Sequence, residues 1–140
     1  MDVLGVFVFI ENQIMMTYFC RNCWNEINER QSVCPQCGAK QSELDDETFV
    51  AKLIRALNHP EPQTPIRAAY ILGKLRTNEA IPALLDVVHK NRDFFIVAAA
   101  IDALGEIGNR KIIKELQELL IQNPPLPIRI AAERAIRNLG

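Results

Sequence analysis

Aromatic residues are scarce, nine in 140, and glycine is held to six and histidine to two. So few rings, with Ala, Leu and Ile crowding the second half, favour helices over sheets. No apolar run approaches the ~20 residues of a membrane-spanning helix. The run Val3 to Ile10 stops at Glu11, Asn12 and Gln13. The beginning also lacks the positive segment and small-residue cleavage site of a secretory signal, with Asp2 where a cation would stand. The expectation is a soluble, cytoplasmic protein. Excess positive charge is missing too: sixteen Lys and Arg face seventeen Asp and Glu, and from Leu44 onward the balance is thirteen to twelve. No broad stripe exists to neutralise a phosphate backbone, which makes nucleic acid an unexpected partner. The local group Lys90, Arg92, Arg110, Lys111 and Lys114 reads as solvated helix ends.

Recognisable catalytic sets are likewise missing. There is no glycine-rich phosphate loop, no Ser-His-Asp arrangement and no carboxylate pair at telling spacing. Asp45-Asp46-Glu47 reads as an acidic first turn that suits a helix dipole. A chain without enzymatic activity is the expectation. What is present is 49% apolar and 24% charged, the balance of an ordinary globular protein.

All four cysteines fall in one short stretch, as Cys20-Arg21-Asn22-Cys23 and Cys34-Pro35-Gln36-Cys37. Each C-x-x-C pair can aim two thiolates inward from one tight turn, and the ten residues between the pairs let the turns face each other, completing a tetrahedral site. Gly38 can take the positive φ such a turn requires, and Asn25 can serve similarly near the first pair. Four thiolates close the coordination sphere, so the metal is structural, one zinc per chain. Iron also accepts four thiolates, and the alternatives without metal are two disulfides or free buried thiols. A stretch this short cannot bury a core of its own, and metal binding would supply its folding free energy.

With Tyr18 and Phe19 before the first pair and Gly38 after the second, residues 17–40 resemble the four-cysteine zinc-ribbon modules at the termini of many bacterial and archaeal proteins. Trp24 departs from the glycine many ribbons carry after the second cysteine, which implies a differently bent first turn. Residues 1–16 form an N-terminal extension, read as a small strand or short helix. Met15 and Met16 leave open that translation begins there and that residues 1–14 arise from a misplaced start. Residues 38–43, polar and small, read as a linker, and the remaining domain covers 41–140.

There the hydrophobic period becomes helical. Phe49, Val50, Leu53, Ile54 and Leu57 recur at three- and four-residue steps behind a cap at Asp45 or Asp46. Leu72-Gly73, Leu104-Gly105 and Ile136-Arg137 lie 32 residues apart in each step, with Ala68, Ala100 and Ala132 in register. Six helices are predicted, near 44–58, 64–75, 79–91, 95–107, 110–122 and 127–139. Alanines form the packing seam, and Gly105 and Gly108 relax a turn. The pattern Ala-x-x-x-Leu-Gly-x-Ile-Gly, with Ala80-Ile81-Pro82 ahead of Leu84, resembles the HEAT-like repeats of phycobilisome lyases. The resemblance implies a mostly α fold, a short right-handed HEAT-like α-solenoid of helix pairs behind the small ribbon. HEAT-repeat hydroxylases hold two irons through His-Glu dipeptides, whereas Pro60 follows His59 and Lys90 follows His89. Both histidines read as helix-end residues.

Such solenoids present the second helices of their pairs along an extended surface. The expected role is a protein–protein adaptor, with Asp86, Lys90, Lys114 and Glu118 as partner contacts. Alternatives are a nucleic-acid-associated zinc-ribbon protein and a bilin attachment or detachment factor. Arg129, Glu133 and Arg137 give the last helix a polar outer face. With about three repeats, near the minimum for stability, self-association is a further option.

Overall fold

The computed structural model describes residues 4–10, 13–28, 31–41 and 47–140. The chain divides into two compact units, Met1–Thr48 and Phe49–Gly140.

In the first unit, strand β1 (Leu4–Ile10) pairs antiparallel with β2 (Gln13–Phe19), Leu4 opposite Phe19 and Ile10 opposite Gln13. The short β3 (Glu26–Ile27) pairs with the other edge of β2. Of the two conformations expected for the N-terminal apolar run, the strand is the one found. Strand β2 leads directly into Cys20 and β3 leads away from the first turn. Tyr18, Ile27, Cys20 and Cys34 form a small buried cluster.

The second unit is helical throughout: α1 (Phe49–Ala56), α2 (Gln63–Leu75), α3 (Ile81–Lys90), α4 (Phe94–Ile107), α5 (Ile113–Ile121) and α6 (Leu126–Leu139). One 3₁₀ turn, Asn78–Ala80, leads into α3, and another, Arg110–Ile112, leads into α5. The fold is mostly α, a short HEAT-like solenoid of three helix pairs. Helix α1 begins at Phe49, later than the position near 44 the sequence suggests, and Glu47 and Thr48 are not helical. The proposed caps Asp45 and Asp46 lie outside the described residues. Helix α1 gives way to three tightened turns, with Leu57, Asn58 and His59 donating to carbonyls three residues back. Pro60, which disfavours helix at the residue before it, explains the stop.

Helices α2, α4 and α6 lie side by side, and α1, α3 and α5 each pack on the helix that follows. The seam is small, as the repeat suggests: Ala68, Ala100 and Ala132 are buried, with Leu72 and Leu104 sealed behind them. Two expectations need correction. Phe49 does not join the core but is 61% exposed at the start of α1. Gly105 relaxes no turn: it sits inside α4, where a Cβ would meet the backbone of Ala135. Gly108 does end α4, at φ +84, and Arg76 ends α2 in the same left-handed conformation, 32 residues earlier.

Asp93 caps α4 by accepting from the N–H groups of Phe95 and Ile96 at 2.8 and 3.2 Å. Glu61 serves α2 similarly, accepting from the N–H groups of Gln63 and Thr64 and from the Thr64 hydroxyl. On α6, Arg129, Glu133 and Arg137 are exposed where Val97, Ile101 and Gly105, 32 residues earlier, are buried. The polar outer face expected of the last helix is therefore present.

Candidate functional site

The two cysteine pairs fold into the same turn twice. Cys20 N–H donates to Asn25 O and Trp24 N–H to Cys20 O, both at 2.9 Å; Cys34 N–H donates to Ala39 O at 3.0 Å and Gly38 N–H to Cys34 O at 2.9 Å. Each turn needs positive φ just after its second cysteine. Gly38 supplies φ +74 and Trp24 supplies φ +61. The differently bent first turn expected from Trp24 is thus not found: the tryptophan adopts the glycine conformation, its indole buried. A left-handed L residue costs roughly 1–2 kcal/mol, which burial of so large a side chain outweighs. Asn25 does not take the positive φ suggested for it, but donates its side-chain amide to Cys23 Sγ at 3.3 Å.

Sγ of Cys20 lies 3.7 Å from that of Cys37, and Sγ of Cys23 lies 3.6 Å from that of Cys34, so each contact crosses between turns. All four sulfurs lie within 4.8 Å of one another. A disulfide needs about 2.05 Å, and the four cysteines are unbonded. Tetrahedral zinc at about 2.3 Å from each sulfur places neighbouring sulfurs about 3.8 Å apart. The four-sulfur donor set and its spacing fit such an ion.

The thiols are unequal. The Asn22 side chain, followed by the Ala39 N–H, pulls the exposed Cys37 down to about 6. Burial pushes Cys34 up to about 11 against the N–H groups of Cys37 and Gln36. Burial also opposes ionisation of Cys20, but N–H donors from Cys23 and Asn22, and then the Gln41 amide, hold it below the usual thiol value. The sequence reading missed Asn22 and Gln41, both hidden among polar residues without motif. Gln41 stands in the segment read as a linker, yet it is 3% exposed and bonded into the cysteine cluster.

In the helical unit, the predicted partner contacts lie on first helices. Asp86 and Lys90 are on α3 and Lys114 and Glu118 on α5, all exposed. Asp86 and Lys90 pair at 3.2 Å and line a pocket of about 270 Å³ with Asn58 and Asn91. The structure does not bring them onto the second helices, on which the expectation rested. Those are α2, α4 and α6, bridged by a ladder at the repeat spacing: Lys74 to Glu106 at 3.3 Å and Asp102 to Arg134 at 3.2 Å. These four, with Ile66 and Tyr70, line a groove of about 350 Å³. Lys74 also lies 5.3 Å from the centre of the Tyr70 ring. His59 accepts from the Glu61 N–H at a helix end, and His89 lies exposed 3.8 Å from Glu115.

The sequence profile of HEAT repeats matches residues 50–137. The chain belongs to the HEAT-repeat family. Among curated proteins it is similar to the bilin biosynthesis protein PecE of Mastigocladus laminosus, 34% identical over 76 residues, 53% of this chain and 28% of that protein. It is similar to the deoxyhypusine hydroxylase of Saccharomyces cerevisiae, 25% identical over 115 residues, 81% of this chain and 33% of that protein. Deoxyhypusine hydroxylase-B of Oryza sativa subsp. japonica is 38% identical over 74 residues, 51% of this chain and 24% of that protein. No solved structure gives a significant match.

The chain spans about a quarter to a third of these relatives. Two of them are named for an enzymatic activity, which overturns the expectation of a chain without one. That expectation rested on motifs missing from 140 residues, and an activity housed in a protein of which only 24–33% is matched need not show its motifs in the matched stretch. Among the described residues, no helix is long and apolar enough to cross a membrane.

Proposed function

We propose that the chain is a protein-docking HEAT-repeat module whose N-terminal unit is organised by one structural zinc ion held by Cys20, Cys23, Cys34 and Cys37. The observation that carries the metal assignment is four sulfurs within 4.8 Å of one another, at spacings suited to tetrahedral coordination. A closed four-thiolate set leaves no coordination position for substrate, so the ion's role is to hold two turns together. The docking assignment is supported by family membership and by the laddered groove across α2, α4 and α6. Asp86, Lys90, Lys114 and Glu118 remain a second candidate surface, favoured by the pocket beside Asp86 and Lys90. Elemental analysis of reduced protein is expected to give one zinc per chain; iron, or no metal, refutes the assignment. For docking, capture from native extract is repeated with Tyr70, Asp102 and Arg134 changed to alanine, and separately with the α3/α5 set changed. Loss with the first set alone supports the groove, loss with the second alone moves the surface, and no loss with either rejects both.

A second reading follows from the relatives' names: the repeats contribute to a longer bilin-handling or hydroxylating protein. A change in bilin absorption on mixing with the chain tests the first of these.

A further inference from the structure

Gln41 is the buried polar side chain among the described residues, and both ends of its amide are engaged. Its Nε2 donates to Cys20 Sγ at 3.3 Å and to Ala39 O at 3.2 Å, while its Oε1 accepts from the Arg21 N–H at 3.1 Å. Its backbone is tied as well: the N–H donates to Ser32 O at 2.9 Å, and the carbonyl accepts from the Arg21 guanidinium at 2.8 Å. The bonds to Cys20 and Arg21 join the first cysteine turn to the segment that follows the second pair. The two cysteine turns are thereby latched at Cys20, which is fully buried, whereas Cys37 is exposed.

We infer that Gln41 is a positioning residue for the four-thiolate site, which locks the two turns together and sets how long the metal is retained. This rests on the metal reading above. An N–H aimed at a thiolate withdraws electron density from sulfur and stabilises it, and partners of this kind around metal ligands are worth about 10–100-fold in affinity. Gln41 adds a geometric lock, because one amide addresses Cys20, Arg21 and Ala39 together.

The test uses the full chain loaded with cobalt(II), which reports its thiolate ligands by colour. Gln41→Glu has the same shape but no N–H donor, and Gln41→Met has similar volume and no charge. Both variants are expected to load cobalt with a tetrahedral spectrum and unchanged helix content, and to pass it to a chelator at least about 10-fold faster than the parent. The sulfur-to-cobalt charge-transfer band is expected to move to lower energy, since Cys20 has lost a donor; a purely space-filling residue would leave it in place. Parental release rates with an unshifted band in Gln41→Glu overturn the inference while leaving the metal assignment intact. A parent chain that binds no cobalt overturns both.

Discussion

Gly105 on α4 sits directly against Ala135 on α6: a Cβ on the glycine would lie 3.0 Å from both the Cα and the Cβ of the alanine. Gly73 on α2 stands in the same relation to Ala103 on α4, with a Cβ 3.0 Å from its Cα. Both steps advance 30 residues, and each partner is itself repeated at 32. One close approach is thus used twice to hold α2, α4 and α6 together.

Gly105→Ala is expected to destabilise the helical unit despite the roughly 1 kcal/mol that alanine gains over glycine in a helix. Overpacking costs typically about 1–3 kcal/mol, and the atoms in the way are the Ala135 Cα and the Cβ fixed to it, which cannot swing aside. Gly105→Val should be worse, because the added methyls have the same obstacle. Urea unfolding followed by circular dichroism measures this; a Gly105→Ala protein more stable than the parent would contradict the close contact.

Asp93→Ala removes the cap that accepts from two N–H groups at the start of the central helix. Losing such a cap costs about 0.5–2 kcal/mol. Asp93→Asn, which keeps an acceptor, is expected to recover most of the loss in the same unfolding measurement.

Two carboxylates are expected to give opposite pH slopes. Glu61 lies below the usual carboxylate value, chiefly through the Gln63 N–H, so its contribution is present above the ordinary value and disappears as pH falls through the lowered one. Asp102 is shifted upward, chiefly by burial and further by Glu106, although Arg134 opposes the shift. Its folded form binds a proton more tightly than its unfolded form, so its contribution is present at low pH and is lost as pH rises through the raised value. Stability curves of Glu61→Gln and Asp102→Asn against pH should each lose one of these slopes. Identical curves for parent and variants would refute both assignments.

If the proposed zinc is bound, its chelation is expected to unfold the first unit and leave the helices intact, because the two units are separately compact. In the reduced, chelated chain, iodoacetamide should modify all four cysteines at similar rates, since the burial and hydrogen bonds that distinguish them are lost when the unit unfolds. Mass spectrometry of the alkylated chain counts the modified cysteines, and metal should protect all four.

Trp24→Gly relieves a left-handed backbone costing about 1–2 kcal/mol, but removes a buried ring whose truncation costs about 3–5 kcal/mol. A net loss of about 2 kcal/mol in the first unit is expected by difference. A stabilised variant would mean that the indole packs less well than its burial suggests.

Spacing along the chain was enough to determine the helices and the four candidate ligands. The 32-residue recurrence through Ala68, Ala100 and Ala132 marks one side of every second helix, and two C-x-x-C pairs bring thiolates together over short separations. Both depend on local periodicity, which an isolated sequence carries in full. Tertiary structure decided what depends on which atoms meet. It turned Gly105 from a turn residue into a helix contact, because a missing Cβ has no address until a second helix approaches it. It gave Trp24 a glycine's backbone, because burial of the ring compensates strain that the local sequence alone would disfavour. It drew Gln41 out of an apparent linker and onto Cys20, and placed the laddered groove on α2, α4 and α6, because those relations join residues about 20 to 32 positions apart whose polar types carry no period.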